Sequence, residues 1–209
     1  MGEVALRRYT NLAATIHILK SQSIALLSPK FWDDRNDTYF LNSYKQRKSA
    51  KSVLVLCFAE ASETYHHWRV FSYGVDGVCI EFDKDKLLLP FNADKRVRSG
   101  LVNYKMIADM QKTATQTDEL PFLKRYPYQD EEEFRIIYTD YDQSIDSKEF
   151  KIRLGAVRRI HLSPWIPLAL SNSVKGILRS IDGCEHLKIS RSTLIENEKW
   201  KLIAGREPL

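Results

Sequence analysis

From the amino terminus, apolar and polar positions follow first a strand period and then a helical one. "ALRRYT" predicts a short strand, and in "NLAATIHILKSQ" the residues Leu12, Ile16 and Leu19 share one helical face at the i, i+4, i+7 spacing. "SIALLSP" predicts a second strand, stopped at Pro29 because proline has no backbone donor. "KFWDDRNDTYF", with its Asp and Asn among Phe31, Trp32, Tyr39 and Phe40, reads as an ordered loop. The basic run "KQRKSAK", residues 45 to 51, reads as a solvated face leading into the apolar strand "SVLVLCFAE".

"ASETYHHWRVFSYGVDG" predicts a short helix followed by a turn at Gly74 and Gly77, and "VCIEFD" a strand ended by a charged turn. Further on, "RVRSGLVNY" reads as a strand and "MIADMQKTATQTDELPFL" as mostly helical, with Pro121 near its end. "EFRIIYT" and "AVRRIHLSP" read as strands, "PLALSNSVKGILRSI" as a helix, and "HLKISRSTL" as a final strand. The expected class is α+β: one domain over residues 1–209, with a mixed, mostly antiparallel central sheet flanked by helices.

The composition narrows the function classes. The chain has 209 residues, enough for one sizeable core, and 44% of them are apolar. The 32 Lys and Arg against 27 Asp and Glu give a net charge of +5, which allows a polyanion such as nucleic acid as partner, or simply keeps the chain soluble. Cys57, Cys79 and Cys184 are odd in number and widely spaced, so neither a disulfide framework nor a Cys-x-x-Cys metal site is expected, and a reducing cytoplasm fits. No run of about 18 apolar residues is present and "MGEVALRRYT" offers no signal-peptide core, so no membrane association is expected.

The chemistry-bearing residues concentrate in three places. In "YQDEEEFRIIY" strand alternation would put Glu131 and Glu133 on one face, where paired carboxylates perturb each other's protonation and could grip a substrate hydroxyl. Acidic residues at a strand edge also discourage aggregation, and that bland role competes with the catalytic one. Arg8 stands beside Arg7, Tyr9 and Thr10 on the first strand, where a guanidinium can hold a phosphate or support a carboxylate. His66, His67 and Trp68 suggest an aromatic wall or core packing rather than zinc, because adjacent histidines diverge and no second ligand pair follows. Phosphate-loop, dinucleotide-fingerprint, nucleophile-elbow and zincin motifs do not occur.

In order, "LRRYTNLAATIHILKSQSIALLSPKFWDD", "VLCFAE", "HHWRVFSYGVDGVCIEFD" and "YQDEEEFRIIY" resemble a bacterial family known as domain of unknown function 2971. Glu131, Glu133, Phe134 and Arg135 match its W-x-x-E-x-E-[FYW]-R pattern, whereas Trp32-Asp33-Asp34 replaces N-D-P, Ala59 replaces Ser in C-F-S, and Tyr128 replaces the Trp. The layout is also similar to that of ADP-ribosyltransferases, which have an early Arg or His and a late Glu. This similarity implies NAD as co-substrate, Glu133 stabilising charge on the ribose, Glu131 orienting or deprotonating the acceptor, and Arg8 on the pyrophosphate. Tyr9, Thr10, Trp32 and Trp68 would complete the cofactor site. The implied biology is a toxin or phage-defence effector, with nucleic acid as acceptor and an antitoxin protein as partner.

Two other classes stay open. One is a non-catalytic nucleotide- or nucleic-acid-binding module using the same cleft. The other is a nuclease in which Asp33, Asp34 and Asp37 join Glu131 and Glu133 around Mg²⁺.

Overall fold

The computed structural model describes residues 4–72, 74–112 and 114–204. Strand β1 (Ala5–Asn11) runs directly into helix α1 (Leu12–Ser21), started by the Asn11 side chain accepting from the Ala14 N–H at 2.8 Å. Strand β2 (Ser23–Leu27) follows a left-handed residue, Gln22 (φ 48°), and Pro29 opens a 3₁₀ turn, Pro29–Phe31.

The stretch expected to be a loop and a solvated basic face is instead helix α2 (Arg35–Arg47). The Asp34 carboxylate caps it by accepting from Asn36 N–H (3.0 Å) and Asp37 N–H (3.3 Å). The Asp-rich composition that suggested a loop therefore supplies the start of a helix.

Strand β3 (Ser52–Ala59), helix α3 (Tyr65–Phe71) and strand β4 (Gly77–Asp83) lie where the pattern predicts them. The charged turn after β4 is the first turn of helix α4 (Lys84–Asn92), capped by Asp83, and Leu87, Leu88 and Phe91 are buried. The single strand expected near residue 100 is divided into β5 (Val97–Leu101) and β6 (Asn103–Lys105).

The segment expected to be mostly helical forms only a single turn, α5 (Ile107–Met110), and a 3₁₀ stretch, Thr117–Phe122; Thr113 within it lies outside the described residues. Strand β7 (Leu123–Arg125), a 3₁₀ helix (Tyr126–Glu131), strand β8 (Glu133–Asp140) and strand β9 (Ser147–Lys151) come next. Strand β10 (Val157–Leu162), helix α6 (Leu168–Arg179), strand β11 (Ile189–Arg191) and helix α7 (Glu198–Ala204) close the chain.

Nine strands form one sheet of α+β type, antiparallel at every pairing except β10 with β11; β6 and β7 form a separate parallel pair. Strand β3 is its spine. One edge pairs with β8 along its whole length, from Ser52↔Asp140 to Ala59↔Glu133. The other edge is shared: β1 meets it at Arg7↔Ala59 and β2 at Leu27↔Val55, the one register pair of each contact among the described residues. Strand β2 finds its full partner in β9, from Ser23↔Lys151 to Leu27↔Ser147.

Because side chains alternate along a strand, each face of the sheet has its own core. Leu54, Leu56 and Phe58 of β3 join Phe82, Phe134 and Ile136 beneath α1, α4 and α6. Val53 and Val55, on the other face, join Ile137 under Leu41 and Tyr44 of α2. Farther along that face, Tyr9, Ala59 and Cys79 pack against Trp68 of α3. Covered on both faces, β8 is buried from end to end, including the charged Glu133 and Arg135.

Candidate functional site

The register places Cys57, Ala59, Glu133 and Arg135 on the α2 side of the sheet. A guanidinium there cannot leave the protein for water, and Arg135 is fully buried. It must be paired where it stands. Its Nε donates to Glu133 Oε1 at 2.7 Å and its Nη2 to Glu133 Oε2 at 2.9 Å. The far side of the fork faces α2: Nη1 donates to Asp37 Oδ1 at 2.8 Å and Nη2 to Asp37 Oδ2, while Nη1 also reaches the Pro121 carbonyl at 3.0 Å. The Trp32 ring lies 5.6 Å from the guanidinium carbon, so this half-buried indole covers the cation's open side.

Lys124 of β7 supplies the second cation, partly buried. Its Nζ donates to Glu131 Oε2 at 2.5 Å and Glu133 Oε2 at 3.2 Å, and lies 3.9 Å from Asp37 Oδ2. Glu131 and Glu133 thus converge, but not by strand alternation: Glu131 ends a 3₁₀ helix, Glu132 is left-handed (φ 41°), and β8 starts only at Glu133. The backbone of this turn is held on both sides. Glu133 N–H donates to Tyr104 Oη at 2.8 Å, and Glu60 N–H donates to the Glu132 carbonyl at 2.9 Å.

Arg8 reaches the site through the divided edge of β3. Cys57 lies between Val55, where β2 pairs, and Ala59, where β1 pairs, and its carbonyl accepts from Arg8 Nη1 at 2.9 Å. A side chain does here what a neighbouring strand does elsewhere. Burial lowers the Arg8 guanidinium from its ordinary value, while Cys57 and Glu133 pull the other way. Arg7 serves the other role foreseen for the pair: it donates to the Glu60 and Ala61 carbonyls at 3.1 and 2.8 Å and pairs with Glu81 at 3.3 Å.

The protonation states follow from these contacts. Burial works to raise the Glu133 carboxyl, but Arg135 and Lys124 outweigh it and bring the group down to about 2. Burial pushes Glu131 up against the pull of Lys124, and burial followed by Glu133 pushes the Cys57 thiol well above its usual range. Lys124 stays charged, because Glu133 and Glu131 overcome its desolvation. Neutral pH therefore finds a fixed, ionised Glu133 that accepts from Lys124 and twice from Arg135, with the Cys57 thiol as a further hydrogen-bond partner.

Four of the seven residues singled out in the sequence meet here: Arg8, Trp32, Glu131 and Glu133. Tyr9 and Trp68 belong to the neighbouring aromatic cluster, with ring centroids 5.3 Å apart and edge to face. Trp68 is fully buried with its indole N–H on Glu63 Oε1 at 2.7 Å, so it packs and presents no open face. Thr10 is half-buried, and its carbonyl accepts from Ser72 Oγ at 2.8 Å. His67 links the two clusters. Its ring stacks on Tyr9, Nε2 meets the Glu131 carbonyl at 3.2 Å and Nδ1 meets Thr64 Oγ1 at 2.6 Å.

Sequence reading missed Lys124, and it named Asp37 only as a possible Mg²⁺ ligand, not as the partner of Arg135. Asp37 had a signal, since Asp37, Leu41 and Tyr44 follow the i, i+4, i+7 spacing and put a carboxylate on the buried stripe of α2. Lys124 had none, because a three-residue strand between 3₁₀ turns carries no periodicity. Among the described residues no group of three or more His, Cys, Asp or Glu is arranged to hold a metal ion. Asp34 caps α2, and Arg135 and Lys124 fill the space between Asp37 and the glutamates.

No protein-family model matches the chain, so the likeness to domain of unknown function 2971 stays one of ordered motifs. No curated protein matches it either. Among solved structures, Thermus sp. 2.9 DarT in complex with NAD⁺ aligns over 92% of this chain and 96% of its own, with a TM-score of 0.45 and 10% sequence identity. No helix of the described residues is long and apolar enough to cross a membrane.

Proposed function

We propose that the chain transfers the ADP-ribosyl group of NAD to an acceptor, with Glu133 as the catalytic carboxylate. The observation that supports this reading is the ionised, buried Glu133 beside Cys57, at the gap in the sheet that Arg8 bridges. Breaking the bond between ribose and nicotinamide leaves positive charge on the sugar, and a fixed carboxylate in a water-poor site stabilises that charge. Arg135 and Lys124 hold the carboxylate still, so it needs no reorganisation when the charge develops.

In this reading Arg8 binds the pyrophosphate by exchanging its carbonyl partner for phosphate oxygens. Trp32, half-buried over Arg135, lies against the nicotinamide or adenine ring. Glu131, whose carboxyl is raised by burial, orients or deprotonates the acceptor. The acceptor is nucleic acid, consistent with a net charge of +5, and the protein acts as a toxin or phage-defence effector restrained by an antitoxin protein.

A second reading, a non-catalytic nucleotide- or nucleic-acid-binding module, draws on the same ion pairs. Glu131 and Glu133 are already engaged, so their role could be confined to supporting the fold.

The deciding experiment incubates adenine-labelled NAD with RNA, DNA or protein, comparing the native chain with Glu133→Gln while thermal melts report on folding. Transfer is expected from the native protein, with a loss on the order of 100-fold in a variant that still melts cooperatively. No label and no released nicotinamide from the native protein would favour the binding module.

A further inference from the structure

In the parallel pair β6–β7, Lys105 stands directly beside Arg125. Like charges facing across strands repel, and neither residue has an ion-pair partner among the described residues. These two cations form one lip of a pocket of about 320 Å³ whose walls are the apolar side chains of Phe40, Ile107, Met110 and Leu123. The volume falls at the lower end of the range for small-molecule sites. Asp34 and Asp37 also reach the pocket, but both are engaged, Asp34 in capping α2 and Asp37 with Arg135. What remains is an apolar slot beneath an unbalanced double positive charge.

A nucleotide carries both complements, a planar base for the slot and a phosphate for the cations. The space also continues. An adjoining hollow of about 610 Å³ shares Lys105, Met110 and Leu123 with the first. There Arg98 and Lys112 are matched by Asp118 and Asp109, and Glu119, whose carboxylate accepts from the Gln116 N–H, also lines the hollow, so the positive charge concentrates at the Lys105–Arg125 end of the joined space. Continuing space favours a strand over a single nucleotide. Lys124, which lines the slot, connects it to Glu131 and Glu133.

We propose that this pocket binds single-stranded nucleic acid, one base seated between Phe40 and Leu123 and its phosphate held across Lys105 and Arg125. As the place where an acceptor strand is held, the site rests on the transfer reading. As a binding site it does not, and it is tested with NAD left out.

The probe is a fluorescein-labelled oligothymidylate of about twelve nucleotides, followed by anisotropy on the full chain. The native protein should bind it. Lys105→Glu with Arg125→Glu should weaken binding at least tenfold and make the dependence of log K on log salt shallower by about 1.4, the share of two phosphates. Met110→Trp, which fills the slot, should weaken binding by about tenfold with the salt slope unchanged. The proposal is overturned if the native chain does not bind, or if charge reversal leaves affinity unaltered. Equal affinity for a duplex, equal competition by dTMP, or polyglutamate binding that depends on the same two cations would overturn it as well.

Discussion

Arg135 grips Glu133 from two residues along the same strand, Nε to Oε1 at 2.7 Å and Nη2 to Oε2 at 2.9 Å, and with its other edge it holds Asp37 of α2. One buried side chain thus joins the start of β8 to the first turn of α2. Replacing it by alanine strands two carboxylates with only Lys124 near them. Arg135→Ala is expected to cost about 3–5 kcal/mol, read as a shift in the urea midpoint. A change below about 1 kcal/mol would mean that Arg135 does not hold β8 and α2 together.

Acid should release the same grip. Glu133 has a folded value of about 2 against an ordinary 4.5, so its contribution is full above pH 4.5 and disappears as the pH falls through about 2. The stability gap between the native chain and Glu133→Gln should be widest above pH 4.5 and narrow toward pH 2. Denaturation curves over that window check it, and a gap that stays constant would contradict the assignment.

His67 gives a second, milder pH dependence. Its ring is buried, with Nε2 at the Glu131 carbonyl and Nδ1 at Thr64, and burial lowers it below the ordinary 6.5. The unfolded chain takes up this proton first, so stability declines as pH falls below 6.5. His67→Asn should be less stable at neutral pH and should lose this part of the slope.

The three free cysteines should be slow to react. Burial raises the Cys57 thiol well above its usual range, Cys79 to about 12, and Cys184 upward as well. With a disulfide reagent at about pH 8 the native protein should show no fast phase, and all three thiols should titrate in denaturant. A fast-reacting Cys57 would point to a thiolate stabilised by Arg8.

The strands were legible because their apolar runs are long and bounded by turns. "SVLVLCFAE" and "EFRIIYT" lie in β3 and β8, and "VCIEFD" in β4. Helices α2 and α4 were hidden by their own caps: Asp34 and Asp83 look like turn residues until the buried Leu41 and Leu87 are counted with them. The helical reading of the segment from Met106 to Leu123 failed because its short elements are held by tertiary contacts rather than by their own periodicity. At the site, sequence marked Glu131 and Glu133 and gave the wrong geometry, since no pattern announces the left-handed Glu132. The convergence on Lys124 depends on chain folding that no local spacing encodes.

The pairing of β2 with β9 also bears on how the protein is made. Leu27 must wait for Ser147 before its edge is satisfied, and β3 waits, for a shorter stretch of chain, for β8. At about 5–20 residues per second of synthesis, the newborn β2 edge stays bare for roughly ten seconds. During that interval the nascent chain is a template for wrong partners, so a ribosome-associated chaperone should matter more to its yield than the stability of the finished sheet suggests.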